Sequence, residues 1–190
     1  YTITITDSSV AASALNTLDG KTSVAINASN INTLTGSAAD LNTTYTANGN
    51  GSISGLGNEE VTLSDTNLAA SIINALDGRT SGTINASSIN TLSGSAADLI
   101  IAYTSGGITG LDNEAVTLSD TSLAASVLNA LDGRTSGTIN ANSINTLSGS
   151  AADLITAYAS GGISNLGNEA INLNSGSAST SQANTLAAAT

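Results

Sequence analysis

The chain has 190 residues, only 9% of them charged, and it contains no His, Cys, Pro, Met, Trp or Phe. Without His and Cys it lacks the usual ligands of zinc, copper, iron and haem and the commonest nucleophile and base pairs. Its formal net charge of −11 repels phosphate backbones and anionic lipid, which argues against nucleic acid as a partner. There is no run of about 18 apolar residues, so we also expect no membrane insertion.

The first predicted element is a strand, because the opening residues YTITITD alternate apolar and hydroxyl side chains. It is either the first strand of a larger array or an edge strand that adds to the sheet of another subunit and drives polymerisation. The second alternative makes the first five residues candidates for self-assembly: Tyr1, Thr2, Ile3, Thr4 and Ile5.

An internal repeat dominates the rest of the chain. Residues 61–115 return at 116–170 with 46 of 55 residues identical. Residues 3–60 follow the same pattern with three extra residues near Asn48 to Asn50, and residues 171–190 begin a fourth copy. A fixed period of this length is typical of solenoids, in which each unit buries its apolar face only against its neighbours. We therefore predict one array over residues 1–190, with units at 3–60, 61–115, 116–170 and 171–190.

Each unit is predicted to hold two strand-helix modules. In the third unit the first helix covers 122–132, ends at Gly133, and places on one face Leu123, Val127, Leu128 and Leu131. The second helix begins at Ser150, where Asp153 lies near the free N–H groups, and turns Leu154, Ile155 and Tyr158 inward. It is stopped by Gly161 and Gly162.

Segments such as GTINA, INTLS and AVTLS suit short parallel strands between these helices. The predicted fold class is therefore α/β, a solenoid of tandem strand-helix repeats with parallel strands. Helices stacked on one side would curve the array and helices on alternate sides would keep it straight; both arrangements fit the pattern.

The last 20 residues are less apolar than the other copies. The apolar residues Leu123, Val127 and Leu128 are replaced by Ala178, Gln182 and Ala183. This segment is either a polar terminal cap or a segment that docks onto another subunit. The docking alternative adds three residues to the self-assembly candidates: Ala178, Gln182 and Leu186.

Aspartates recur at matching positions of the copies. One set follows the first strand and another lies in the second helix cap: Asp7, Asp65 and Asp120, and Asp40, Asp98 and Asp153. Stacked carboxylates could bind Ca²⁺, but no known calcium-loop motif is present, which favours helix capping and leaves no cofactor expected beyond a possible Ca²⁺. A third set precedes the glycine of the LDGRT-type turns and is followed by every basic residue of the chain: Asp19, Asp77 and Asp132, then Lys21, Arg79 and Arg134. An exposed Asp/Arg ladder would relieve charge repulsion along the stack.

Catalysis is not expected. Paired carboxylates need different environments to act as acid and base, whereas these aspartates recur identically in each copy. The abundant Ser and Thr have no His or Lys base to activate them. Asn27, Asn42, Asn50 and Asn85 match the N-glycosylation pattern, but chance matches are expected in a chain rich in Asn, Ser and Thr, and they carry little weight. Glycans are kept as a candidate partner.

Residues 116–163 read VTLSDTSLAASVLNALDGRTSGTINANSINTLSGSAADLITAYASGGI. This block resembles the tandem repeats of very large secreted or surface proteins of bacteria, particularly cyanobacteria. The resemblance covers nearly the whole chain and implies an extracellular or cell-surface location. We therefore expect a non-catalytic structural subunit or repeat segment of a filament, surface layer or matrix, whose partner is itself. The alternative is an adhesin stalk or a Ca²⁺-dependent cell-surface binding module.

Overall fold

Two or three short strands separate successive helices in the computed structural model, which describes residues 2–174 and 178–190. Within these ranges there are seven helices: α1 Ala12–Asp19, α2 Ala38–Asn50, α3 Ala70–Asp77, α4 Ala96–Thr104, α5 Ala125–Asp132, α6 Ala151–Ala159 and α7 Thr180–Ala189. The strands have two to four residues: β1 Ile3–Thr4, β2 Ser9–Ala11, β3 Ile26–Asn27, β4 Thr33–Gly36, β5 Ile53–Ser54, β6 Glu60–Leu63, β7 Asn67–Ala69, β8 Ile84–Asn85, β9 Thr91–Gly94, β10 Ile108–Thr109, β11 Ala115–Leu118, β12 Ser122–Ala124, β13 Ile139–Asn140, β14 Thr146–Gly149, β15 Ile163–Ser164 and β16 Ala170–Leu173.

The chain divides into two compact units, residues 1–89 with 104–111 and residues 90–103 with 112–190. In the first unit, one sheet has the order β1-β3-β5 and a second the order β10-β8-β6-β4-β2. The pairs in these sheets are parallel, and Val61 pairs with Leu34 on one side and Ile84 on the other. All three side chains are buried, so the apolar positions of successive strands stack into the core.

The second unit repeats this arrangement. Strands β15, β13, β11 and β9 follow one another in one sheet, and β12-β14-β16 form another. Val116 pairs in parallel with Leu92 on one side and Ile139 on the other. It thus occupies the position that Val61 has between two strands of the first unit. In β11, as in β6, buried and exposed residues alternate, which is the period of a strand with one face on the core. The α/β class with parallel strands and repeated strand-helix units is thereby confirmed; a single array over 1–190 stays a prediction.

The first helix of the third copy begins three residues after its predicted start at Ser122. Residues Ser122–Ala124 form β12, and α5 starts at Ala125. The reason is that Leu123 pairs with Leu147 of β14, and this strand pairing overrides the helical spacing of the sequence. The end is as predicted, with Gly133 as C-cap, but its φ of −72° is right-handed, so the position does not need the conformational freedom of glycine.

The second predicted helix begins correctly at the Ser150 cap and ends at Ala159 with Ser160 as C-cap, so Gly161 and Gly162 follow the helix and do not stop it. Its buried residues are Leu154 and Ala157. Ile155 and Tyr158 are half-buried, because the helix turns only one narrow side to the core. No described helix combines the length and the apolar character that crossing a membrane requires.

Candidate functional site

Serine hydroxyls cap the second helices, and the aspartates three residues later are hydrogen-bonded to those serines. Ser150 Oγ accepts a hydrogen bond from Asp153 N at 3.1 Å and donates to Asp153 Oδ2 at 2.7 Å. The same pair of bonds joins Ser37 to Asp40 and Ser95 to Asp98. A carboxylate at this position also interacts favourably with the positive end of the helix dipole. The predicted capped helix start is confirmed, with the serine as the cap and with Asp40, Asp98 and Asp153 each holding the serine hydroxyl.

The aspartates that follow the first strands connect neighbouring copies. Asp65 Oδ2, in the second copy, accepts a hydrogen bond of 2.7 Å from Ala38 N at the start of α2, in the first copy. Asp120 Oδ2 accepts an equal bond from Ala96 N at the start of α4. Each of these carboxylates therefore caps a helix of the preceding copy. Asp7 occupies the same repeat position and is exposed.

The arrangement of these carboxylates gives no support to a calcium site. At the start of α2 two of them, Asp40 and Asp65, approach the same helix end and are held by serine and backbone N–H groups. Ca²⁺ takes six to eight oxygen ligands. Across residues 2–174 and 178–190, no three acidic side chains come together in a group that could hold a metal ion.

The aspartates of the LDGRT-type turns accept hydrogen bonds from serines of the following module. The Oγ of Ser105 donates to Asp77 Oδ2 and that of Ser160 donates to Asp132 Oδ2, both at 2.7 Å. The corresponding bond from Ser52 to Asp19 measures 3.2 Å. The basic side chains of these turns are all exposed: Lys21, Arg79 and Arg134.

Buried glutamates form a polar cluster that the sequence reasoning missed. Glu59, Glu114 and Glu169 are 1%, 3% and 7% exposed. Each carboxylate accepts a hydrogen bond from the hydroxyl of a tyrosine in the preceding helix, the pairs being Tyr45–Glu59, Tyr103–Glu114 and Tyr158–Glu169. The pattern was visible in the sequence, since these are three of its four tyrosines and recur at one repeat position.

Backbone N–H groups complete each cluster. Glu59 Oε2 accepts from Gly57 N at 2.7 Å and from Asn58 N at 3.1 Å, so one carboxylate holds both a loop and the helix α2. Glu169 Oε2 accepts from Gly167 N and Asn168 N at 3.0 and 3.1 Å. Such bonds compensate for the burial of the charge. The clusters fasten each second helix to the loop that follows it, which is a structural role.

Burial and hydrogen bonding shift the pKa values of the three tyrosines and of Glu169. Burial and the hydrogen bond to glutamate raise the pKa of Tyr45, Tyr103 and Tyr158 well above the ordinary tyrosine value. Burial alone would raise the pKa of Glu169, but the bonds from Tyr158 and the backbone outweigh it and lower that pKa. The tyrosine contribution to stability is present below the ordinary pKa of about 10 and is lost as the pH rises through the folded pKa. The Glu169 contribution is present above its ordinary pKa and is lost as the pH falls through the folded one.

A buried asparagine side-chain oxygen has a hydrogen-bond donor beside it in the first copy but not in the third. Thr44 Oγ1 lies 2.7 Å from Asn16 Oδ1, to which it can donate a hydrogen bond. In the third copy Asn129 occupies the Asn16 position and Ala157 the Thr44 position. Asn129 Oδ1 is buried there and has no hydrogen-bond partner among the described residues.

We expect Ala157→Thr to stabilise the protein by about 1 kcal/mol, since it supplies a donor to a buried unsatisfied oxygen. Thr44→Ala is the matched change in the first copy and is expected to destabilise by a similar amount. Urea denaturation followed by circular dichroism measures both. A loss of stability on Ala157→Thr would mean that the third copy has no room for the added hydroxyl.

The predicted self-assembly residues are placed differently at the two ends. Thr2 and Thr4 are exposed and Ile3 and Ile5 are half-buried, while Tyr1 lies outside the described residues. In the tail, Ala178 is half-buried. Gln182 forms a capping box with Ser179, and Leu186 is 5% exposed beside α6. The last two side chains therefore already have partners within the chain.

A groove of about 410 Å³ lies where the three extra residues lengthen α2. It is lined by Asp19, Asn42, Thr43, Thr46, Ala47, Asn50 and Ser52. Two of the asparagines that match the glycosylation pattern, Asn42 and Asn50, are in its wall. The groove holds hydroxyl, amide and carboxylate groups but no aromatic platform.

Comparison with known proteins found no matching family model, no similar curated protein and no similar solved structure.

Proposed function

We propose that this chain is a structural, non-catalytic and self-associating subunit or repeat segment of an extracellular filament, surface layer or matrix, built as a solenoid of stacked repeats. A partner that carries the same repeat would continue the contacts that the copies make with one another. The extracellular location is supported by the resemblance of the repeats to those of bacterial surface proteins. The adhesin or Ca²⁺-dependent alternative gains no specific support.

The observation that carries the proposal is that the inward side chains of one strand are more exposed in the first copy than in the second and third. In β6 and β11 the inward side chains are almost fully covered, Val61 and Val116 at 1% and Leu63 and Leu118 at 3% exposure. Their equivalents in the first copy, Ile3 and Ile5, are half-buried. Among the residues that the structure describes, β1 pairs only with β3 and lies at the edge of that sheet. An apolar row beside an open strand edge favours addition of another strand.

The acidic side chains support a structural role. Asp65 and Asp120 cap helices of the preceding copy, and the buried glutamates hold tyrosines and backbone N–H groups. Because equivalent residues make the same bonds in successive copies, no single position is set apart as a reactive centre.

The test is assembly of the purified 190-residue chain. Light scattering and electron microscopy over a range of concentrations are expected to show growth from monomers into elongated polymers. Ile5→Lys should suppress this growth by placing a charge in the apolar row, whereas Thr6→Lys, on the exposed neighbour, should leave it nearly unchanged. A chain that stays monomeric at every concentration and salt condition would overturn the proposal.

A further inference from the structure

We propose that Asn50 is a self-modification site, at which the side-chain amide is lost and an aspartate or an isoaspartate forms. The reaction is deamidation through a cyclic imide, and its only co-reactant is water. The proposal concerns the covalent chemistry of the first copy and does not depend on self-association.

The reaction joins the side chain of an asparagine to the backbone of the residue that follows it. The backbone nitrogen of Gly51 attacks Cγ of Asn50, so that a C–N bond forms and the bond from Cγ to Nδ2 breaks. The amide proton of Gly51 leaves with the departing ammonia. Water then opens the imide at the bond to Cγ, which gives aspartate, or at the bond to the main-chain carbonyl carbon, which gives isoaspartate. The net change is amide plus water to acid plus ammonia, with no oxidation or reduction.

Asn-Gly pairs occur in this chain only where the first copy is lengthened. There are two of them, Asn48-Gly49 and Asn50-Gly51. The corresponding places of the later copies, residues 104–107 and 159–162, read TSGG and ASGG and contain no asparagine. Because glycine has no Cβ, its backbone nitrogen is the least hindered nucleophile for the preceding side chain. The two pairs have the same local sequence, so any difference between them comes from the fold.

The surroundings of Asn50 leave it free to react. It is the last residue of α2, it is exposed, and it lines the groove beside the helix end. Within residues 2–174 and 178–190, no hydrogen bond holds its side chain. The end of a helix opens most easily, so Asn50 can leave the helical conformation and bring Cγ to the next nitrogen.

The attacking nitrogen of Gly51 is also accessible. Its N–H donates to Asn48 O at 3.2 Å, at the long end of hydrogen-bond distances. Gly51 is the C-cap of α2 with a φ of 83°, and a Cβ built there would meet nothing within 4 Å. One long hydrogen bond and open space on the glycine side place little resistance in the way of ring closure.

The surroundings of Asn48 hold it in place. Its Oδ1 accepts a hydrogen bond from Leu56 N at 3.2 Å, and its Nδ2 donates to Leu56 O at 3.4 Å. The side chain is half-buried, and Gly49, which would supply the nitrogen, lies inside α2. Both side-chain bonds must break and the helix must open before Cγ can turn toward that nitrogen. The fold therefore makes one of two identical dipeptides reactive and protects the other.

Conversion of Asn50 adds a negative charge at the C-terminal end of α2. The partial charge of the helix dipole is also negative there, so either product weakens the last turn of the helix. The new carboxylate also enters the groove that already contains Asp19. A molecule that has reacted thus differs from a fresh one in its charge and in the stability of this helix end.

The test follows both asparagines in the 190-residue chain by mass spectrometry. The folded protein is incubated in warm, mildly alkaline buffer, and samples are digested with trypsin, which releases residues 22–79 as one peptide. Fragmentation of this peptide locates the mass gain that accompanies replacement of an amide by an acid. Asn50 is expected to convert at least about tenfold faster than Asn48, because two hydrogen bonds of ordinary strength hold the Asn48 side chain.

The same chain unfolded in urea is the control for local sequence. There the two dipeptides are expected to convert at similar rates, because nothing holds Asn48. Asn50→Gln is the control for position and should abolish the mass gain at residue 50, since the longer side chain closes an imide ring much less readily. Equal conversion of Asn48 and Asn50 in the folded protein would overturn the proposal, and so would conversion of Asn50 in urea alone.

Discussion

Gly137→Ala is expected to destabilise the protein by about 3 kcal/mol or more, a loss typical of overpacking against a buried and fixed group. A Cβ at Gly137 would lie 2.0 Å from the carbonyl oxygen of Glu114 and 2.7 Å from its carbonyl carbon. These are backbone atoms of a residue whose side chain is itself held by Tyr103, so neither side can move freely. Gly82 approaches Glu59 in the same way, at 2.2 Å, which shows that the close contact belongs to the repeat. Urea denaturation followed by circular dichroism measures the loss.

Gly133→Ala is the matched control four residues earlier in the same turn. Its added Cβ would lie 3.7 Å from Asn129 O, an ordinary contact, and its φ of −72° suits alanine. The change is expected to stay within about 0.5 kcal/mol or to stabilise slightly, because alanine reduces the entropy of the unfolded chain. Equal losses at Gly133 and Gly137 would show that helix termination, and not the contact with Glu114, makes this turn depend on glycine.

These two glycines show what could and could not be predicted. The place where α5 ends follows from the sequence, because the apolar spacing stops at Gly133. The importance of Gly137 depends on a loop that lies 23 positions earlier in the chain and comes close only after the strands have stacked. Local patterns contain no information about such a distance. The repeat reveals that Gly137 recurs, but not which atoms it touches.

The strands were predictable in kind and direction, because the Val, Ile and Thr segments are short and separated by helices. The start of α5 was not. Leu123 has the spacing of a helix residue, yet it lies in β12 opposite Leu147. A three-residue strand running directly into a helix has no separate signal in the sequence. Pairing with the next strand is a tertiary preference that outweighs the local one.

Among the polar contacts, those between residues close in the sequence were predictable, and those between copies were not. The Ser-Ala-Ala-Asp start of α6 predicts the bonds between Ser150 and Asp153, because capping involves residues three positions apart. The bond from Ala96 N to Asp120 joins residues 24 positions apart, and its partner depends on how copies stack. Recurrence identified Asp120 as important in the sequence. Only the stacked arrangement shows that it caps a helix of the preceding copy.

Removing a buried glutamate is expected to lower stability far more than removing an exposed one. The first copy has one of each in adjacent positions. Glu59 is 1% exposed and accepts hydrogen bonds from Tyr45 and from the N–H groups of Gly57 and Asn58. Glu59→Ala removes the carboxylate that accepts all three hydrogen bonds, and a hydrogen bond to a charged group contributes about 1.5 to 3 kcal/mol. We therefore expect a loss of about 3 kcal/mol or more, measured by urea denaturation near neutral pH.

Glu60→Ala, at the next position in β6, is the control for charge and composition, because Glu60 is exposed. Removing it changes the net charge by the same amount and is expected to alter stability by less than about 0.5 kcal/mol. Tyr45→Phe should fall between the two, since it removes one donor and leaves the carboxylate bound by the loop N–H groups. If Glu59→Ala were no worse than Glu60→Ala, the carboxylate would not be what fastens α2 to its loop, and the repeated tyrosine-glutamate pair would lose its structural role.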